Sequence, residues 1–201
     1  MNGRSMWQVR FHGRGGQGVV TAAELLATAA FTDGKYAQAF PSFGSERMGA
    51  PVMAFCRIDD KSIRTRDAVT CPDVVIVQDA TLLHQVDLFA GLKPSGFVLI
   101  NSTQSLGALD LEEFLSTLPG GHACAFPASD LGLRHLKRPL ANAPLLGGFA
   151  ALTGLIRLAS VESAIHQRFP GAIGEANVAA AREAHDHVTV FIAGQQGVLQ
   201  R

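Results

Sequence analysis

Trp7-Gln8-Val9-Arg10-Phe11, then His12-Gly13-Arg14-Gly15-Gly16-Gln17-Gly18, then an Ala- and Leu-rich run from Val19 to Phe31: this stretch decides the fold. Apolar residues alternate over 7–11, the period of a strand, and 19–31 has the composition of a helix. Gly13, Gly15 and Gly18 stand between the two in the spacing G-x-G-x-x-G. Glycine permits positive φ and leaves no Cβ between backbone and ligand. A helix that begins there presents free N–H groups and a partial positive charge, a seat for an anion, to which Arg14 and Gln17 can add donors.

Strand and helix patterns then alternate. Tyr36–Phe40 and Val52–Ile58 read as strands, Asp59-Asp60 as a hairpin turn, and 72–77 as a β-branched run typical of a buried central strand. Thr81–Leu88 reads as helix, Phe97–Asn101 and Ala123–Pro127 as strands, and the chain from Asp130 onward as mostly helix. Alternation of this kind predicts an α/β fold, a Rossmann-like doubly wound sheet in three αβα layers, formed as a single domain over 1–201. Within the helix opened by Asn142, Ala143 and Pro144, with Pro144 suited to the first helical position, Gly147, Ala150, Ala151 and Gly154 make a stripe of small residues at i, i+3, i+4, i+7. That stripe admits close approach of another backbone, and contact between subunits is one reading of it.

Composition narrows the function. Only 17% of the 201 residues are charged and 47% are hydrophobic, which suits a surface covered by partners. Lys/Arg and Asp/Glu balance at 17 each, so no overall field draws in nucleic acid or a membrane. Residues 1–71 hold nine Lys/Arg against six Asp/Glu, a net +3, and the remainder carries −3. The N-terminus has no apolar signal core, and the longest uncharged stretch is broken by prolines and glycines, so a cytoplasmic chain is expected. Cys56, Cys71 and Cys124 are too far apart in sequence for a C-x-x-C metal or cluster pattern and read as reduced thiols, Cys56 and Cys124 buried in strands. His185 and His187, two apart on a helix, face different directions. His12 has two readings, as a packed residue or as a donor to a ligand phosphate.

A free-standing dinucleotide enzyme wants an acid at the end of its second strand. Tyr36–Phe40 runs instead into Pro41-Ser42, and Asp33 lies in a turn before it. The strand leads directly into a second motif, Pro41-Ser42-Phe43-Gly44-Ser45-Glu46-Arg47-Met48-Gly49-Ala50-Pro51, a structured turn that displays an aromatic ring, a carboxylate and a guanidinium.

The two motifs together, with Arg57-Ile58, Pro72-Asp73-Val74-Val75, the turn Leu92-Lys93-Pro94-x-Gly96 and Asn142-x-x-Leu145-x-Gly147 after them, resemble the gamma subunit of 2-oxoacid:ferredoxin (acceptor) oxidoreductases, of which pyruvate:ferredoxin oxidoreductase is the best-known type. The resemblance covers nearly the whole chain. It departs at Met48, where a second basic residue is frequent in the family. It implies an enzyme that oxidatively decarboxylates a 2-oxoacid with thiamine pyrophosphate and Mg2+, passes electrons through [4Fe–4S] clusters to ferredoxin or another acceptor, and releases an acyl-CoA. It implies that none of these cofactors is bound by this chain alone, that alpha and beta (thiamine-binding) subunits and a ferredoxin-like delta or electron-transfer subunit are its partners, and that neither nucleic acid nor membrane is. No catalytic residue or metal ligand is expected here. The same resemblance, with the helix N-terminus argument, assigns coenzyme A contact to Gly13, Arg14, Gly15, Gly16, Gln17, Gly18, Ser42, Phe43, Gly44, Glu46, Arg47 and Asn142. The small subunit of an aryl- or indolyl-2-oxoacid enzyme, a purely structural scaffold, and an independent nucleotide-binding oxidoreductase are the alternatives; Phe43-Gly44-x-Glu46-Arg47 favours the pyruvate and branched-chain type.

Overall fold

The structure, a computed structural model, describes residues 6–42 and 48–199. Six strands form one mixed sheet: β1 (Trp7–Arg14), β2 (Tyr36–Pro41), β3 (Pro51–Asp59), β4 (Val74–Val77), β5 (Phe97–Asn101) and β6 (Ala123–Phe126). Their order across the sheet is β2-β3-β1-β4-β5-β6. β1, β4, β5 and β6 are successively parallel, while β3 is antiparallel to both β1 and β2. Five strands therefore share one direction and β3 opposes them.

The α/β class holds, with the chain winding both ways from β1. From β1 it passes through α1 (Val19–Thr32) to β2 on one side, and the next parallel neighbour of β1, β4, lies on the other. The helices α1, α3 (Ala128–Leu136), α4 (Asn142–Thr153), α5 (Leu158–Arg168) and α6 (Ala172–Leu199) cover one face, on Val9, Phe11, Ala54, Cys56, Ile76, Leu99 and Phe126. The outer layer on the opposite face is thin. Under β4 and β5, Val75, Val77, Val98 and Ile100 meet Leu82, Leu88, Leu109, Leu115 and Leu118, carried by short turns and by α2 (Glu112–Leu115). The segment read as helix from Thr81 is in fact a 3-10 turn, Ala80–His84, capped by the Asp79 side chain.

Asp59-Asp60 is not a hairpin turn. The strand after β3 is β4, and β1 lies between them, so the chain cannot fold straight back. It crosses beneath the sheet as an irregular run, 60–73. Two buried arginines hold it there. Arg10 donates to the carbonyls of Val69, Leu88 and Ala90, and Arg57 donates to those of Thr65 and Asp67 while its guanidinium stands 5.2 Å from the Phe40 ring centroid. Alternation in β1 would send Arg10 to a polar face; the crossing chain buries it to 6% exposure.

α4 begins at Asn142, so Pro144 is its third residue rather than its first. The position costs nothing, because N–H groups of the first turn have no intrahelical acceptor. The close approach foreseen for the small-residue stripe is made within the chain: a Cβ on Gly147 would lie 2.0 Å from the Ala181 carbonyl oxygen in α6. Gly154 is not part of that contact but the left-handed C-cap of the helix, at φ 60.

Candidate functional site at the carboxyl end of β1

The two sequence motifs meet where the winding reverses, at the carboxyl end of β1, the place where open α/β sheets form their binding crevice. β1 runs on through Gly13 to Arg14, three residues further than its apolar alternation suggested. The Gly15 N–H donates to the Ala50 carbonyl at 2.9 Å and the Gly49 N–H to the Gly15 carbonyl at 3.1 Å, so the glycine loop is laced to the end of the second motif. Met48 bridges to Gly15, and the Ser42 N–H donates to the Met53 carbonyl, fixing the other end of that loop. Phe43, Gly44, Glu46 and Arg47 lie outside the described residues.

Glycine is required at two points here. Gly16 has φ 93, and Gly18, the N-cap of α1, has φ 74 with no side chain to satisfy the first turn. The N–H groups of Val19, Val20 and Thr21 accordingly lack intrahelical acceptors. No acidic residue occupies that first turn. A Cβ on Gly18 would also stand 2.5 Å from Nδ2 of Asn142, the first residue of α4. Asn142 is held by Gln78, whose Nε2 donates to its Oδ1 at 2.9 Å, so two helix N-termini and one side-chain amide converge on a single spot.

Arg14 and Gln17, read from sequence as ligand donors, are engaged by the protein. Gln17 Oε1 accepts from the Arg14 N–H at 2.8 Å and its Nε2 donates to Asp79 Oδ2 at 2.7 Å. Arg14 Nε pairs with Asp79 Oδ2 at 3.2 Å, Nη2 donates to the Thr81 hydroxyl at 2.7 Å, and Nη1 donates to the Gly49 carbonyl at 3.0 Å. Burial opposes ionisation of Asp79, but bonds from the Thr81 hydroxyl, Gln17 and the Thr81 N–H, with the Arg14 charge, outweigh it and hold the carboxyl below its ordinary range.

Sequence reasoning did not find Asp79, Gln78 or Thr81. The signal was there: the apolar run that makes β4 continues into Gln78-Asp79, and β4, not β2, is the hydrogen-bonded parallel neighbour of β1. The acid that a dinucleotide fold requires thus exists in space, but its oxygens are spent on Arg14, Gln17 and Thr81. Asp33 is spent as well, accepting from the Arg157 N–H and Nε and from the Ser160 hydroxyl. His12 takes the packed reading. It points to the second face of the sheet and is 4% exposed, its Nε2 has no partner, and burial, aided by Arg10, pushes its pKa down to about 3.

Gly16 is the wall between two depressions. One, of about 280 Å³, is lined by Arg14, Gly15, Val19, Val20, Met48 and Val52. The other, of about 290 Å³, is lined by Gln17, Gln78, Ser129, Arg138 and Leu140. Gln78 is 3% exposed, its Oε1 has no partner, and its backbone carbonyl and the Ser129 hydroxyl both accept from Asn101 Nδ2 at 2.8 Å. Among the described residues, none that lines either depression carries a carboxylate.

The family model described as pyruvate ferredoxin/flavodoxin oxidoreductase matches residues 8–187, from β1 to the middle of α6. The chain belongs to that family. It is similar to the pyruvate/ketoisovalerate oxidoreductases common subunit gamma of Thermococcus kodakarensis, with 50% identity over 186 residues that span 92% of this chain and 99% of that one. Among solved structures it is similar to pyruvate oxidoreductase subunit PORC of Thermotoga maritima, at a TM-score of 0.76 and 35% identity, covering 91% of this chain and 97% of that one. The fold recurs in the 2-oxoglutarate:ferredoxin oxidoreductase of Magnetococcus marinus, solved with 2-oxoglutarate, coenzyme A and succinyl-CoA bound, at a TM-score of 0.69 and 19% identity. There the match covers 95% of this chain and 32% of that one, so the larger protein carries the fold as about a third of its length. As the gamma-type chain of an oxidoreductase, this molecule is a subunit of a larger enzyme.

Proposed function

We propose that the chain is the gamma subunit of a multi-subunit, thiamine-dependent oxidoreductase that converts pyruvate or a related 2-oxoacid to an acyl-CoA and passes the electrons to ferredoxin or another acceptor. In this reading the loop 13–18, the loop 42–49 and Asn142 form part of the coenzyme A entrance and of the contact with the alpha and beta subunits. The carrying observation is the spot at Gly16–Gly18: free N–H groups of α1, the Asn142 amide and, among the described residues, no carboxylate lining either adjoining depression. Such a spot suits the phosphate groups of coenzyme A.

An iron–sulfur cluster does not fit this chain's thiols. A [4Fe–4S] cluster takes four thiolates, whereas the chain has three cysteines, of which Cys56 and Cys124 are buried with thiols pushed up in pKa, Cys124 to about 12. The family resemblance gives thiamine pyrophosphate and Mg2+ to other chains of the complex. Both groups are assigned to the partner subunits, and the chain's contribution is to hold the coenzyme and the interface.

The test is Gly18→Ala and Asn142→Ala in the assembled complex. The expected result is an apparent KM for coenzyme A raised roughly tenfold, about 1.4 kcal/mol of lost binding, at unchanged KM for the 2-oxoacid. A normal coenzyme A KM in an intact complex would sink the entrance role. Dissociation of the complex with the coenzyme A response of the remaining enzyme unchanged would favour a scaffold.

A further inference from the structure

Two of the residues with the chemistry to grip an anion, Arg14 and Gln17, are turned away from that task and toward Asp79. The carboxylate stands at the carboxyl end of β4, with its side chain 15% exposed. Oδ2 takes Gln17 Nε2 and Arg14 Nε, and Oδ1 takes both the N–H and the hydroxyl of Thr81, at 3.0 and 2.5 Å. Arg14 carries the restraint onward through its bonds to Thr81 and to the Gly49 carbonyl. A loop with three glycines in four residues has little stiffness of its own. One acid therefore fixes the glycine loop from below and, through Arg14, fixes the end of the second motif beside it. The pair is partly desolvated and sits in a network, where such a contact is stronger than an isolated surface ion pair.

We propose that Asp79 is a positioning residue of this subunit: it holds Arg14 and Gln17 as struts so that the backbone N–H groups of Val19, Val20 and Thr21 and the Asn142 amide keep the geometry that receives the ligand's anionic group. The inference rests on the coenzyme A reading above and adds to it a division of labour. Arg14 orients the two loops and leaves the ligand's charge to the backbone. Asp79, which no sequence motif marked, controls both loops at once.

The experiment is Asp79→Asn in the assembled complex, a change that keeps size and removes the charge. The expected result is an apparent KM for coenzyme A raised roughly tenfold with kcat within about twofold and KM for the 2-oxoacid unchanged. Arg14→Gln should behave alike, and the double variant should be no worse than the worse single, because both remove the same strut. Amide hydrogen exchange at 14–18 and 48–50 should quicken in Asp79→Asn. Fully additive effects, or unaltered exchange in both loops, would overturn the proposal. If Gly18→Ala raises the coenzyme A KM and Asp79→Asn does not, the entrance stands and the positioning role falls. If exchange quickens while neither variant changes the coenzyme A KM, Asp79 does position the loops and it is the coenzyme A reading that fails. Should Asp79→Asn not assemble, Thr81→Val, which removes a donor to Asp79 and an acceptor of Arg14 without touching a charge, carries the same expectations.

Discussion

His12 shows how one strand position can set an acid limit. Its imidazole is buried on the second face of the sheet, and that burial, with the Arg10 charge as a smaller cause, holds it neutral down to about pH 3. The unfolded chain takes up that proton near the ordinary value of 6.5. Between those values the folded form binds fewer protons than the unfolded one, so stability is present above pH 6.5 and is lost as pH falls. The loss should approach roughly 1.4 kcal/mol per pH unit below pH 6. His12→Gln is expected to flatten the fall of Tm between pH 7 and pH 5, measured by thermal unfolding. An equally steep fall in the variant would show that another group sets the limit. The motif adjacent to the glycines invited a ligand role for this residue. Periodicity assigned Val9 and Phe11 to the apolar face, and only the chain crossing beneath β1 and β3 made the opposite face an interior as well.

At the scale of elements, the contact between α4 and α6 depends on the absence of a side chain. Gly147 meets the Ala181 carbonyl oxygen, and Gly148 meets the Phe126 ring, where a Cβ would come within 3.0 Å. The first neighbour is backbone and cannot rotate away. Gly147→Ala should therefore force the helices apart, costing about 3 kcal/mol or more and lowering Tm by several degrees, whereas Gly154→Ala at the open C-cap should cost only its left-handed strain, about 1 kcal/mol. A Gly147→Ala chain as stable as wild type would show that α6 can shift freely. The stripe that prepared α4 for close approach was legible in sequence. Its partner was not, because spacing along one helix does not say which backbone arrives.

At the scale of the molecule, two arginines take the place of a helical layer. Arg10 and Arg57 reach from β1 and β3 to the carbonyls of Thr65, Asp67 and Val69 in the crossing segment and to those of Leu88 and Ala90 beyond it. Arg10→Met keeps the length and the apolar stem but leaves its carbonyl partners without their donor, at a cost of roughly 2–4 kcal/mol. Trypsin should then cleave at Arg64 or Arg66 markedly faster than in wild type, read by mass spectrometry of native digests. Unchanged cleavage would mean that the segment is held by its own packing.

The sequence by itself determined the α/β class, the strand-glycine-helix unit and the pairing of two motifs some thirty residues apart. Each is a local property: period, backbone permissiveness, or chemistry displayed in one short run. Only the tertiary structure decided that β3 runs against its neighbours, that β4 and not β2 lies hydrogen-bonded parallel to β1, and that the acid facing the glycine loop is therefore Asp79. Strand order arises from which faces bury which, a sum over contacts distant in the chain, and no window along the sequence contains it. The same is true of Arg14. Its place in the motif was read from neighbours three residues away, whereas the work it does is fixed by a carboxylate 65 positions further on, brought within 3.2 Å by the sheet.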